Sequence, residues 1–232
     1  MIIFPAIDIR NGKCVRLKQG NFNQMETFST DPADTAKKWE SQGGKYLHIV
    51  DLDGALKGYP VNISTIEQIL NQVQVPIQFG GGIRNEESVR RMLNLGVNRV
   101  ILGTSALADK QFTESMIKKY KERIAVSIDA KRGKVAVQGW TQISEINALD
   151  LAKELTDFGL RTIIYTDIAK DGMLQGPNFG ELKRIDTVAE NLIASGGIST
   201  VDDLNQLRNM NLYGAIVGKA LYTGAVKLKY AE

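Results

Sequence analysis

Three features of the 232-residue sequence predict an α/β protein with a single domain closed into a (β/α)8 barrel. Eight short, β-branched runs alternate with amphipathic helical patterns. The runs are apolar along their whole length, as strands buried on both faces of a parallel sheet are. Segments of the first half also recur, in order, in the second.

In chain order, Ile2–Ile9 reads as the first strand, and Asp31–Gln42 follows as a helix with Asp31 as cap and Pro32 in the first turn. Tyr46–Val50 and helix Asn62–Val73 form the second unit. Pro76–Phe79 with Glu86–Leu95, capped by Asn85, form the third. Val97–Leu102 and Asp109–Tyr120 complete the first half. Ile124–Ile128 with Asn147–Phe158, Thr162–Thr166 with Asn178–Thr187, and Leu192–Ala194 with Thr200–Met210 continue the alternation, and Ala215–Val217 is the eighth strand. A closed ring of eight leaves no exposed sheet edge, which favours a TIM barrel over an open doubly wound sheet. The segments Lys18–Thr30 and Ala130–Ile143 read as long loops expected to fold over a ligand.

The internal match is specific. AIDIRNGKCV aligns with SIDAKRGKVAV, pairing Asp8 with Asp129; VDLDGALKG aligns with TDIAKDGMLQG, and FGGGIRNEESVRRM with ASGGISTVDDLNQL. VILGTSAL aligns with AIVGKALY at nearly the same spacing. The expected architecture is two homologous (β/α)4 halves, about 1–121 and 122–232.

Composition excludes several classes of function. A net charge of +3, with basic and acidic residues interleaved, gives no nucleic-acid patch, and the densest basic segment, Lys118–Lys121, reads as a solvated helix face. One cysteine, Cys14, forms no internal disulfide and reads as a small buried hydrophobe. One histidine, His48, is too few for a multi-histidine metal centre, and it reads as packed or supporting rather than catalytic. No apolar run is long enough for a membrane span, and the amino terminus lacks a basic region followed by an apolar stretch. A cytoplasmic, monomeric enzyme with no metal and no cofactor is expected, with neither nucleic acid nor membrane as partner.

The matched motifs fall at strand carboxyl ends, where barrels of this type carry their chemistry. Gly81 and Gly82 after the third strand and Gly196 and Gly197 after the seventh would let backbone N–H groups approach an anion. Gly103 and Thr104, and Gly218 and Lys219, complete each cradle. The two cradles face each other across a ring of eight, so the expected partner is a small-molecule bisphosphate. Asp8 and Asp129 end strands one and five, crosswise to that axis, and suit a general base and a general acid. Asp51, and Asp167 and Asp171 with Thr166, are candidates for sugar hydroxyls or for shared proton work. Trp140 suits a plate for a heterocycle, and Arg84 suits a phosphate. A lysine-dependent aldolase using Lys170 or Lys219, and a non-catalytic metabolite binder, are the competing classes.

Taken together, PAIDIRNGKCVRLKQG, HIVDLDGALKG, FGGGIR, VSIDAKRGKVAVQGW, TDIAKDGMLQGPN and ASGGIS resemble the histidine-biosynthesis isomerase family from Met1 to about Gly218. The related cyclase family shares the half-barrel repeat and both aspartates, but Ala6-Ile7-Asp8-Ile9 favours the isomerases. The resemblance implies an Amadori rearrangement of an aminoaldose to an aminoketose without a cofactor, on a substrate carrying two phosphates and an aminoimidazole carboxamide. It implies Asp8 as proton acceptor and Asp129 as proton donor, with Asp171 as a third carboxylate that leaves the identity of the acid open. It also implies Trp140 as the stacking residue.

Overall fold

The computed structural model describes residues 1–230 and contains a closed barrel of eight parallel strands. The barrel strands are β1 (Ile2–Arg10), β2 (Leu47–Asp51), β3 (Ile77–Gly80), β4 (Arg99–Leu102), β5 (Ile124–Lys131), β6 (Thr162–Asp167), β7 (Asn191–Ser195) and β8 (Gly214–Val217). Each pairs with the next, and β8 closes on β1 with Ile2 opposite Gly214 and Pro5 opposite Val217. All eight expected strands and all seven expected helices are present, with ends shifted by at most a few residues.

The residue pattern explains the two layers of packing. On β1, Phe4 and Ala6 join Ile101, Ala125, Ile164, Ile193 and Ile216 inside the barrel, while Ile3, Ile7 and Ile9 face the helices. Successive strand side chains point to opposite faces, so burial of both faces requires the unbroken apolar runs seen in the sequence. Helix caps form where the sequence places them. Asp31 and Asn85 each accept a backbone N–H of the first turn, and Thr200 makes a reciprocal capping box with Asp203. Lys118 and Lys119 are exposed and pair with Glu114 and Glu86, which confirms a solvated helix face. Cys14 is fully buried beside Thr35.

The two expected long loops are instead β-ribbons. Lys13–Lys18 pairs with β1 and then with Asn21–Ser29; Lys134–Val137 pairs with β5 and then with Gln142–Asn147. Four X-Gly dipeptides (Asn11-Gly12, Gln19-Gly20, Arg132-Gly133 and Gln138-Gly139) have positive φ at both positions; the first three reverse their hairpins in two residues, while Gln138-Gly139 opens a four-residue turn between Val137 and Gln142. Three short helices at the cavity rim also lay outside the expected set: Leu52–Lys57, Ser105–Ala108 and Lys219–Tyr222.

Candidate active site

The carboxyl ends of the strands surround one cavity of about 310 Å³, within the usual range for a small-molecule site. Every glycine expected to cradle phosphate borders it: Gly81 and Gly82 with Gly103 and Thr104 on one side, Gly196 and Gly197 with Gly218 and Lys219 on the other. Arg84 reaches the first side, packed over Gly58 and donating to the Ala55 carbonyl at 3.4 Å. Asp8, Asp129, Asp171, Thr166 and Trp140 line the space between. These fourteen candidate residues therefore converge on one place, whereas Asp51 and Asp167 do not.

The three carboxylates sit in different surroundings. Asp8 Oδ2 accepts from Arg16 Nη1 at 2.7 Å, and both side chains are largely buried. Burial raises the pKa of Asp8, while the charge and hydrogen bond of Arg16 oppose that rise. Asp129 accepts from the Ser127 hydroxyl at 2.8 Å and from the Trp140 indole N–H at 2.7 Å, so each of its oxygens meets a donor. Among the described residues, Asp171 has no such anchor. Burial, and then the nearby Asp8 charge, push its pKa up to about 6 against the pull of Arg16, with Asp129 adding to the rise.

A stability consequence follows from the raised Asp171 pKa. The folded state holds the proton more tightly than the unfolded chain, so stability is lost as pH rises from about 3.8 through about 6. The penalty is about 3 kcal/mol when fully developed above that window. Urea unfolding should therefore find Asp171→Asn more stable than the parent at pH 8 by up to that amount, with the gain vanishing at pH 3. An equal effect at both pH values would exclude ionic origin.

Asp51 and Asp167 do not face the cavity, which corrects their expected contact with substrate. Asp51 accepts from the backbone N–H groups of Gly54, Val61 and Asn62 and from the Asn62 side chain. Asp167 accepts from the Ala169 N–H and from the Asn178 side chain. Each carboxylate thus clamps the loop after its strand to an asparagine eleven residues on. That common spacing is the sequence signal for a brace rather than a catalyst. Arg16 and Phe22, which had no prior assignment, complete the site together with His48, expected as packed or supporting. Arg16 holds Asp8, bonds the Ala6 carbonyl and lies 5.3 Å over the Tyr222 ring. Phe22 and His48 line the cavity as well.

The ribbons close over the mouth. The Trp140 ring lies against Gly20, and Gln19 donates to the Ala169 carbonyl at 2.9 Å. Trp140 itself holds φ +71°, uncommon for a bulky residue. Among the described residues, no cluster of three or more His, Cys, Asp or Glu is arranged to hold a metal ion, and no helix is long and apolar enough to cross a membrane.

Comparison with known proteins agrees with this geometry. The histidine biosynthesis protein family matches residues 2–227. A protein of Oceanobacillus iheyensis is 53% identical over 230 residues, covering 99% of this chain and 96% of the relative. One from Clostridioides difficile is 51% identical, covering 100% and 97%, and one from Clostridium acetobutylicum is 53% identical with the same coverage. Each of the three is named 1-(5-phosphoribosyl)-5-((5-phosphoribosylamino)methylideneamino)imidazole-4-carboxamide isomerase. A match across nearly the whole chain, on a barrel whose strand ends carry the shared motifs, decides the kinship: this chain belongs to the histidine biosynthesis protein family.

Proposed function

We propose that the chain catalyses the isomerisation its relatives are named for, an Amadori rearrangement of an aminoaldose to an aminoketose in histidine biosynthesis. The observation that carries the reading is the placement of two glycine cradles on opposite sides of one cavity with unlike carboxyl groups between them. A substrate with two phosphoribosyl groups spans such a mouth end to end. One chain supplies the entire cavity, which supports action as a monomer. The balance of charged surface and the biosynthetic chemistry support a cytoplasmic setting.

Asp171 is the group suited to protonate the furanose oxygen, because its proton is held up to about pH 6. Ring opening leaves a protonated imine. Asp8, raised by burial against the pull of its ion-pair partner Arg16, then removes the proton from the adjacent carbon. The resulting enaminol ketonises as a proton returns to the former aldehyde carbon, and no atom is gained or lost. Asp129, anchored by Ser127 and Trp140, lines the same cavity, where a carboxylate favours the cationic imine electrostatically. Trp140 offers the indole face for the imidazole ring, and Thr166 a hydroxyl for the sugar.

The test is conversion of the aminoaldose by purified protein with EDTA present, followed by NMR or chromatography. Conversion supports the isomerase; binding without conversion leaves a metabolite binder. Borohydride trapping of a lysine adduct at Lys170 or Lys219 would instead indicate the aldolase class. With Asp171 as acid, kcat/KM should fall as pH rises above about 6, since the required proton is then lost. Asp171→Asn should abolish that descending limb; its persistence would move the acid role to Asp129.

A further inference from the structure

The barrel interior contains one polar chain that the proposed mechanism leaves without a role. His48, Gln78 and Arg99 are register neighbours on β2, β3 and β4. The positions that match them in the second half, Ile164, Ile193 and Gly214, are register neighbours too, on β6, β7 and β8, and they carry no polar side-chain atom. An apolar interior therefore suffices at this level of the barrel. Burying an amide and a guanidinium there is unfavourable unless each is paired, so packing does not account for the polar version.

The hydrogen bonds fix where each proton lies. Arginine has donors only. Arg99 Nη1 stands 3.3 Å from Gln78 Oε1, so the Gln78 carbonyl must face it and the amide N–H₂ must face the other way. That amide nitrogen is 3.0 Å from His48 Nδ1, which must accept and leaves the imidazole proton on Nε2. Arg99 is held in turn by Tyr213 Oη and the Glu122 carbonyl, each at 3.4 Å, between the rings of Tyr46 and Tyr213. His48 is half-buried and borders the cavity, and with Nδ1 turned to Gln78 its Nε2 edge faces the ligand space. Burial, reinforced by the charge of Arg16, lowers its pKa to about 3.

We infer that His48 presents a permanently neutral Nε2–H donor to an uncharged oxygen or nitrogen acceptor of the substrate on the cavity floor, and that Gln78 and Arg99 are positioning residues holding that tautomer. The inference rests on the isomerase reading of the same cavity. Ala6 is the register partner of His48, and Asp8 lies two residues further along the same face of β1, roughly 6–7 Å higher. One carbon–oxygen unit of a sugar fits between the two, with a donor below and a base above. Neutrality matters because a cationic imidazole would add to the charge of Arg16 beside Asp8 and weaken it as a base.

His48 is the only histidine in the chain, so the intact protein grown on ¹⁵N-histidine gives one imidazole to follow. Long-range ¹H–¹⁵N correlation between about pH 5 and 8 should show the Nε2–H tautomer throughout, without titration. The aminoketose product should shift the Nε2 signal, and inorganic phosphate alone should not. An Nδ1–H tautomer, or titration within that range, overturns the inference. Gln78→Glu gives a carboxylate that accepts from both Arg99 and Nδ1–H. It should move the proton to Nδ1, bring a histidine limb into the pH profile and lower kcat about tenfold. An unchanged kcat and pH profile in that variant would also overturn it. If no aminoaldose is converted while the tautomer is as stated, the isomerase reading fails and the relay stands; conversion by a protein in the Nδ1–H form fails the relay alone.

Discussion

Asp8→Asn should lower kcat by on the order of 10²–10⁴ while leaving KM within a few-fold, because it removes a proton acceptor and little else. The amide keeps the size of the carboxyl, and its oxygen can still accept from Arg16 Nη1, now 2.7 Å from Asp8 Oδ2. Two stability effects oppose each other. Arg16 loses its counter-ion in a largely buried place, a change that alone is destabilising. Burial of the Asp8 carboxylate is itself unfavourable, as its raised pKa records, and the amide relieves that. Arg16 also keeps the Ala6 carbonyl and the Tyr222 ring. Affinity is expected to survive because neither glycine cradle touches the substituted group. Steady-state kinetics beside a urea melt separate the possibilities. A loss confined to kcat, with the melt little changed, identifies the base; a kcat within threefold of the parent would remove Asp8 from the proton transfer.

The features legible in the sequence were those set by local chemistry or by the internal match. The barrel strands could be read because burial on both faces leaves a continuous apolar run, and the caps because Asp31, Asn85 and Thr200 bond within their own first turn. Fourteen of the sixteen candidate residues meet in one cavity because strand ends in such a barrel necessarily converge. Features made by partners distant in the chain or by tertiary pairing were not legible. An aspartate closing a strand looks the same whether it faces substrate, like Asp8, or braces a loop, like Asp51 and Asp167; only Asn62 and Asn178 at matched spacing distinguish them. Arg16 reaches Asp8 because a two-residue turn folds the first ribbon strand, Lys13–Lys18, back on β1, and that register is a tertiary fact. The orientation of His48 depends on Gln78 and Arg99, thirty and fifty-one residues away.

Alanine at Gly81 or Gly197 should be the most destabilising single-methyl change at the cavity, and it should weaken binding as well. Both residues hold left-handed backbone, with φ of +112° and +85°. A Cβ on Gly81 would stand 2.2 Å from the Asp51 carbonyl oxygen, and one on Gly197 would stand 2.3 Å from that of Gly176. Neither oxygen can retreat freely, since Asp51 is the clamp that holds Gly54, Val61 and Asn62, and Gly176 N–H donates to the Gly197 carbonyl at 3.0 Å. The conformational cost is about 1–2 kcal/mol and the overpacking cost about 1–3, so each variant should lose about 2–5 kcal/mol. Gly43 supplies the control, with φ +104° and no atom within 4 Å of an added Cβ; alanine there bears only the conformational part. Thermal melts should therefore rank Gly43→Ala well above both cavity variants, by several degrees. The cradles also require the backbone N–H groups to keep their aim, so KM should rise at least tenfold for either cavity variant and stay level for Gly43→Ala. Cavity variants that melt early yet keep the parental KM would leave these glycines a role in loop packing alone and remove them from phosphate binding.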